Sequence, residues 1–433
     1  MLPILNSPVQ KKKVYIETYG CSNNHAESQI MAGVLGREGH ALAAIEDADT
    51  IIVNTCSVKS ATENKTRYRI EELQRAYPEK KLVLAGCLVE AEPQVVRKIA
   101  PEASLLSTNH IDKVHLAVGN RTEFLGKKKT EKVGLPRIAT NPVVDIIPIS
   151  SGCLSVCTFC STKLAKGNLF SFSEEKIIEE IKTAKVGGGY KQFWLTSQDC
   201  GCYGFEHGTN AARLMKNIIA RVSGKYYLRL GMANPQHVKR FLQELTDAYR
   251  DEHVFKFIHI PVQSGSNSVL RAMRRGHTAE DYALIANAFR DAFPEITVWT
   301  DIIAGFPGET EDDFEKTVNL VRKTQPDFVN VSAYSARPGT KAASMEKVPS
   351  EVVKERTRAL SEIVKKASLE RNKLWVGWSG AALVNEFSGE KQNFIARNYA
   401  YKPIAVKGDF GLGQEVAVEI IDARPTCLIG AGC

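Results

Sequence analysis

A repeated alternation of short apolar runs with amphipathic ones limits this chain's fold more than any other feature. VYIETY (14–19), TIIVN (50–54) and KLVLA (81–85) have the length and β-branched content of buried strands. HAESQIMAGVLGREG and ATENKTRYRIEELQRAY lie between them with helical spacing, the first closed by Gly39 and the second by Pro78. A second series follows: VDIIPI (144–149), QFWLTS (192–197), YYLRLG (226–231), FKFIHIPV (255–262), TVWTDIIAG (297–305) and DFVNVSAY (327–334). Helical runs such as SEEKIIEEIKTAKV and TAEDYALIANAFRDAF separate them. Strands joined through helices pair in parallel. The fold class expected is α/β: an open parallel sheet first, then a partial (β/α)6 barrel, since six units fall short of the eight that close a full one.

The chain after the long basic helix EVVKERTRALSEIVKKASLERNKLW (351–375) changes character. Short β-like runs (AALVNEF, NFIARNYAYKPIAV, QEVAVEII) with glycines between them predict a small β-barrel. Residues 119–142 are polar, basic and rich in Gly and Pro, as a linker would be. Three domains are expected, over 12–125, 139–370 and 372–433.

Each of the first three strands runs into a cysteine: Cys21, Cys56 and Cys87. The carboxyl ends of parallel strands lie along one sheet edge, where ligands bind, so these thiols should converge. The first strand of the second series leads into GCLSVCTFCSTK, with Cys153, Cys157 and Cys160 at C-x3-C-x2-C spacing. Ten cysteines in all call for metal or catalysis if the compartment is reducing. A reducing, cytoplasmic setting is expected: no run approaches the ~20 apolar residues of a membrane span, and MLPILNSPVQKKK is too short in its apolar part for a signal peptide.

Three neighbouring thiolates can hold zinc with a fourth ligand, or three irons of a 4Fe-4S cluster. His110 and His207, the histidines nearest in sequence, stand outside zinc-finger spacing. A three-thiolate cluster leaves one iron open for a substrate or cofactor atom.

Cys153, Cys157, Phe159 and Cys160 resemble the signature of radical S-adenosylmethionine (SAM) enzymes. YGCSNNHAESQIMAGVL, VNTC, AGC, SGCLSVCTFCSTKLAKGN, LTSQD, HIPVQSGSNSVLRAM and TDIIAGFPGET resemble the methylthiotransferases, in that family's order along nearly the whole chain. GCSNNHAES and STKLAKGN are similar to the archaeal and eukaryotic branch, which acts on N6-threonylcarbamoyladenosine at position 37 of tRNA. The resemblance implies two 4Fe-4S clusters, one on Cys153, Cys157 and Cys160 with S-adenosyl-L-methionine at its open iron, the other on Cys21, Cys56 and Cys87. It implies a radical that removes hydrogen from adenine C2, insertion of sulfur, and a C-terminal TRAM module that binds RNA. The partners implied are tRNA through its anticodon loop, an external electron donor and a sulfur source; no membrane is involved. Alternatives are a family member acting on isopentenyladenosine in tRNA or on ribosomal protein S12, and a non-catalytic iron–sulfur protein.

For SAM, the strand ends offer Gln198 and Asp199, Arg229 as a charged fork to the carboxylate, Gln263 and Asp301, beside Phe159 in the motif. Each strand-end polar residue could equally cap the next helix. Cys200 and Cys202 stand outside the family pattern, either as inert small residues or as a sulfur-handling pair; Cys427 and Cys433 are expected to be inert. Arg397, Tyr399 and Tyr401 are spaced to share a strand face and stack on bases. The net charge of +8 hints at a polyanionic partner, but the last segment, from residue 372, balances six cations against six anions. Phosphate contacts are therefore expected also from the long helix and from Lys127, Lys128 and Lys129.

Overall fold

The computed structural model describes residues 11–57, 60–389 and 392–432. The N-terminal apolar run and Cys433 lie outside the described residues.

The first sheet has β1 (Lys13–Thr18), β2 (Ala41–Leu42), β3 (Thr50–Thr55), β4 (Lys81–Gly86), β5 (Ser104–Ser107) and β6 (Glu123–Phe124), all parallel, in the order 2-1-3-4-5-6. Every residue of β3 is buried, because helices cover both faces. Side chains alternate across the strand, so Ile52 joins one core with Val14, Ile30, Val34 and Leu106. Ile51 and Val53 join the opposite core with Ile70, Leu73 and Leu105. The helix Ser22–Arg37 covers the first face and Ser60–Ala76 the second. β2, β5 and β6, at two to four residues, are too short for periodicity to reveal in the sequence.

The second series forms β7 (Val144–Pro148), then β8 (Ser150–Ser151) and β9 (Phe170–Ser171), an antiparallel pair that ties together the two ends of the three-cysteine loop. β10 (Gln192–Thr196), β11 (Tyr227–Leu230), β12 (Phe257–His259), β13 (Thr297–Ala304) and β14 (Phe328–Ala333) complete it. β7, β10 and β11 pair in parallel, as do β12, β13 and β14, and a bridge between Leu228 and Val254 joins the two sets. The six strands thus run in chain order with β7 and β14 at the edges, the partial barrel expected. Phe193, Leu195, Leu228, Leu230 and Ile258 pack outward against helix residues Ile181, Leu214, Leu245 and Phe289. β12 stops short of the expected 255–262, where Pro261 withholds an amide.

The last segment is a closed barrel of β15 (Ser379–Ser388), β16 (Asn393–Arg397), β17 (Pro403–Val406), β18 (Glu415–Ala423) and β19 (Leu428–Gly432). NFIARNYAYKPIAV is not one strand. It breaks at Asn398, whose side-chain oxygen accepts from the amides of Ala400 and Lys402. The shared face expected for Arg397, Tyr399 and Tyr401 is therefore absent. Tyr401 sits at φ +60° and packs, 4% exposed, on Trp194, Phe255 and Phe257 of the partial barrel. Tyr399 packs against Trp375 and Trp378.

The helix Ser350–Lys373 buries Arg356, Leu360, Val364, Ser368 and Asn372, one stripe at four-residue spacing. Two of its cations are committed internally, Arg356 to Glu309 and Glu311, and Arg371 to the buried Asp327, which also holds Lys402. No described helix is long and apolar enough to cross a membrane.

Candidate metal and cofactor site

β1, β3 and β4 are neighbours in register, Thr18 opposite Asn54 and Thr55 opposite Gly86, so the residues that follow them emerge side by side. Cys21 is the N-cap of the helix Ser22–Arg37, Cys56 directly follows β3, and Cys87 opens the helix Cys87–Ala91. Cys56 and Cys87 are each 2% exposed, whereas Cys21 is open to solvent. Gly20 shows how tightly the first two turns meet. Its φ is +115°, and a Cβ there would lie 2.6 Å from Cys56 Cβ and 2.8 Å from its sulfur. Only glycine admits that approach. Asn54 and Asn24 fix the turns: Asn54 Nδ2 donates to Asn24 O (2.8 Å), Asn24 Nδ2 donates to Thr55 O (3.0 Å), and Cys21 Sγ contacts Asn24 Oδ1 at 3.3 Å.

Beside these thiols lies a buried ionic cluster. Lys132 and Lys166 both donate to Glu27 Oε1 at 2.6 Å, and all three side chains are almost fully buried. Burial alone would raise the Glu27 carboxyl, but the two lysines hold it down at about 2. Burial pushes the Cys87 thiol up to about 12; the Lys166 ammonium works against this, and Glu27, Cys56 and Cys21 work with it. Two cations against one carboxylate leave a surplus positive charge next to three thiols. That surplus suits a centre whose ligands are thiolates.

The second trio is held between β8 and β9. Gly152, at φ +74°, lets the chain turn where a Cβ would sit 2.1 Å from Asn168 O. The Gly152 amide donates to Gln198 Oε1 at 2.7 Å, and Lys163 Nζ donates to Cys153 O. Thr158 is anchored to the helix Asn267–Ala272 region by its amide to Met273 O (3.0 Å) and its hydroxyl to Ala272 O (3.0 Å). Donors surround the sulfurs. The Ser155 amide reaches Cys153 Sγ at 3.3 Å, and Arg275 Nη1 reaches Cys157 Sγ at 3.4 Å. Cys153 is drawn well below the usual thiol range, first by hydrogen bonding to Cys202 and, against burial, by His237 and Ser155. Burial raises Cys160 to about 11.

The two trios face each other. Ser161, directly after Cys160, donates its hydroxyl to the carbonyl of Ser57, directly after Cys56, at 2.7 Å. Ser22, after Cys21, meets Thr196 at the tip of β10 with a 2.8 Å hydroxyl contact. Asn109, beyond β5, donates to Ala165 O at 3.0 Å. The strand tips of the two sheets are thus joined at the cysteines.

The other residues expected at the site divide. Gln198 holds the cysteine loop. Asp199 is buried, accepts from the Gly201 and Asn234 amides (both 3.0 Å), and is raised to about 7 by burial and by Cys153. Gln263 sits at φ +74° and bridges to β13 through Asp301 O and the Ile303 amide. Asp301 meets His259 Nε2 at 2.9 Å and accepts from Asn330 at 2.6 Å, beneath the strand tips. Phe159 packs edge-on against Phe306. Arg229 is not an open fork. Its guanidinium lies 4.7–4.9 Å from the ring centres of Trp194, Phe257 and Tyr401, inside the partial barrel. Of Cys200 and Cys202, the second lies at the motif, its thiol within 4.8 Å of that of Cys153. Reading the sequence missed Glu27, Lys132, Arg275 and His237. Glu27 left no local signal: only the structure shows that the helix Ser22–Arg37 buries Asn23, Asn24, Glu27, Ser28 and Gln29, polar residues that an ordinary packing helix would expose.

Comparison with known proteins follows the same division of the chain. Residues 13–107 match the family described as Uncharacterized protein family UPF0004, and residues 147–321 match the Radical SAM superfamily. Membership of that superfamily implies a 4Fe-4S cluster and S-adenosylmethionine. Among solved structures, the radical S-adenosylmethionine methyltransferase TsrM from Kitasatospora setae superposes with a TM-score of 0.56 at 14% identity, covering 76% of this chain and 74% of that one. The cobalamin-dependent radical enzyme OxsB gives 0.52 at 13%, over 83% and 57%. Both likenesses concern the fold alone. A probable threonylcarbamoyladenosine tRNA methylthiotransferase of Pyrococcus horikoshii is 43% identical over 431 residues, 96% of this chain and 99% of the relative. The human threonylcarbamoyladenosine tRNA methylthiotransferase is 36% identical, over 95% of this chain and 72% of the relative. With likeness at that level along almost its whole length, the chain belongs to the threonylcarbamoyladenosine tRNA methylthiotransferase family.

Proposed function

We propose that the protein converts N6-threonylcarbamoyladenosine at position 37 of tRNA to its 2-methylthio derivative. The observation that carries this reading is the Ser57–Ser161 contact, which sets two trios of thiols at facing strand tips in a chain of this family. Cys153, Cys157 and Cys160 would hold the cluster that takes S-adenosylmethionine, and Cys21, Cys56 and Cys87 would hold a second. When bound, these groups supply radical removal of the adenine C2 hydrogen and the sulfur that replaces it.

The chain's own residues orient and shield. Gln198 and Lys163 set the backbone of the Cys153 loop, while Arg275 and the Ser155 amide donate to its sulfurs and favour the thiolate forms. Lys166 and Lys132 offset negative charge at the Cys21, Cys56 and Cys87 centre. Asp301, Gln263 and Phe159 line the approach where S-adenosylmethionine would lie. Arg229 braces the partial barrel against Tyr401. In this reading 12–125 carries the sulfur-donating centre, 139–370 the radical chemistry and 372–433 the RNA.

With Tyr399 and Tyr401 turned inward, the 372–433 barrel is joined in holding tRNA by exposed cations outside it: Lys127, Lys128 and Lys129, and Lys354, Arg358, Lys365 and Lys366 on the solvent face of the long helix. An external electron donor and a sulfur source complete each turnover. The test is nucleoside mass spectrometry of tRNA from cells with and without the gene. Deletion should abolish the 2-methylthio derivative and let N6-threonylcarbamoyladenosine accumulate. Loss of 2-methylthio-isopentenyladenosine instead would assign the other substrate.

A further inference from the structure

Cys202 belongs to a donor set of which the proposed reaction uses only Cys153. Among the described residues, Cys153 Sγ, a carboxylate oxygen of Asp199 and Cys202 Sγ all lie within 4.8 Å of one another. His237 Nε2 borders the three without belonging to that set, 3.5 Å from Asp199 Oδ2, while Cys153 Sγ is 3.6 Å from the same oxygen. Ligands at zinc's bond lengths to nitrogen, oxygen and sulfur stand about 3.3–3.8 Å apart on the edges of a tetrahedron. Both distances fall in that range before any metal is added.

The set is also built in. Cys202 is 0% exposed, Asp199 1% and His237 5%. Asp199 Oδ1 is fixed by two backbone amides, which leaves Oδ2 for the thiols and the imidazole. His237 Nε2 accepts from the Gln236 side-chain amide at 2.9 Å, a bond that zinc would replace, and its ring rests edge-on against Phe205 at 5.6 Å. Two thiols and a carboxylate supply three zinc donors, and the imidazole beside the carboxylate is of the type that closes such a set.

We propose that Cys153, Cys202 and Asp199, with His237 turning in as fourth donor, form a zinc site that excludes the cluster from the C-x3-C-x2-C motif. Cys153 is common to both sets and cannot serve both. A zinc ion entering displaces the protons of the Cys153 and Cys202 thiols, with no change of oxidation state. Cys157 and Cys160 take no part. Occupation therefore holds the protein in a form that cannot assemble its radical centre, and release of zinc restores it.

The two sets share one residue, so their variants cross. Full-length protein stripped of metal by chelation is titrated with zinc chloride against a chromophoric chelator. Relative to the parent, Cys202→Ser and His237→Gln should each lose one tight zinc equivalent, while Cys157→Ala and Cys160→Ala keep it. A far-UV circular dichroism spectrum confirms that each variant is folded. In a second arm, iron and sulfide are added after one equivalent of zinc. The parent should then fail to gain its full iron content, and Cys202→Ser should gain it. Retention of every zinc equivalent by both Cys202→Ser and His237→Gln overturns the proposal. So does its loss from Cys157→Ala, which would place zinc on the motif itself, or full iron uptake by zinc-loaded parent protein.

Discussion

Replacing Glu27 with glutamine should loosen the join between the first sheet and the cysteine loop of the second. Glu27 Oε1 takes four donors: Lys132 and Lys166 at 2.6 Å, Thr108 Oγ1 at 2.7 Å and Asn23 Nδ2 at 2.8 Å. These come from its own helix, from the chain beyond β5, from the linker and from the helix Ser161–Lys166. A fall of the carboxyl from 4.5 to about 2 is worth about 3 kcal/mol at roughly 1.4 kcal/mol per pH unit. Removing one partner of a buried pair costs about 3–5 kcal/mol by an independent route. Because the folded value is depressed, this stability is fully present above pH 4.5 and fades as the pH falls toward 2. The two lysines differ. Lys166 is raised, Glu27 and the Cys87 and Cys21 thiols outweighing its burial, whereas burial lowers Lys132. Lys166 is therefore the stronger partner. Hydrogen exchange by mass spectrometry, at pH 7 on metal-free protein, should show amides of the helix Ser22–Arg37 exchanging about 100-fold faster in Glu27→Gln. A cycle with Lys166→Met should return a coupling of about 2 kcal/mol or more. Exchange within about tenfold of the parent, or a coupling below about 0.5 kcal/mol, would refute the electrostatic account.

Three further outcomes follow. Arg229→Met should cost on the order of 2–4 kcal/mol of stability, from the loss of three cation–ring contacts, and leave the affinity for S-adenosylmethionine unchanged; a loss of affinity of about tenfold would return Arg229 to the cofactor. Gly152→Ala, which cannot keep φ +74° against Asn168 O, should lose about half of the reconstituted iron while the Cys21, Cys56 and Cys87 centre survives; full iron content would show that the turn tolerates a side chain. Burial, with Arg275 behind it, pulls His277 down to about 3, so stability should be complete above pH 6.5 and fall by about 2 kcal/mol between pH 6.5 and 5. Denaturant titrations of His277→Gln should show that slope flattened, and an unchanged slope would assign it elsewhere.

The parallel α/β architecture was legible because each strand longer than four residues carries its own period. Cys21, Cys56 and Cys87 could be foreseen along one sheet edge because all three follow neighbouring strands of one sheet. Periodicity failed where tertiary partners decide. Arg397, Tyr399 and Tyr401 alternate as a strand would, yet Asn398 captures two amides and turns the chain, and Tyr401 is drawn into an aromatic cluster of the neighbouring barrel. The packing around Arg229 was not legible because nothing local announces three rings from three distant segments. His237 lies 77 residues beyond Cys160 in the sequence, outside any zinc-finger spacing, yet the barrel carries it to Asp199, beside Cys153. Local chemistry is written in neighbouring residues, whereas the donors that meet through the barrel are not.

Iron and Mössbauer analysis of the anaerobically reconstituted, zinc-free chain tests the central claim most directly. Two three-thiol centres predict about eight irons, with about four remaining in either Cys56→Ala or Cys153→Ala. About four irons in the parent, unaffected by Cys56→Ala, would contradict it.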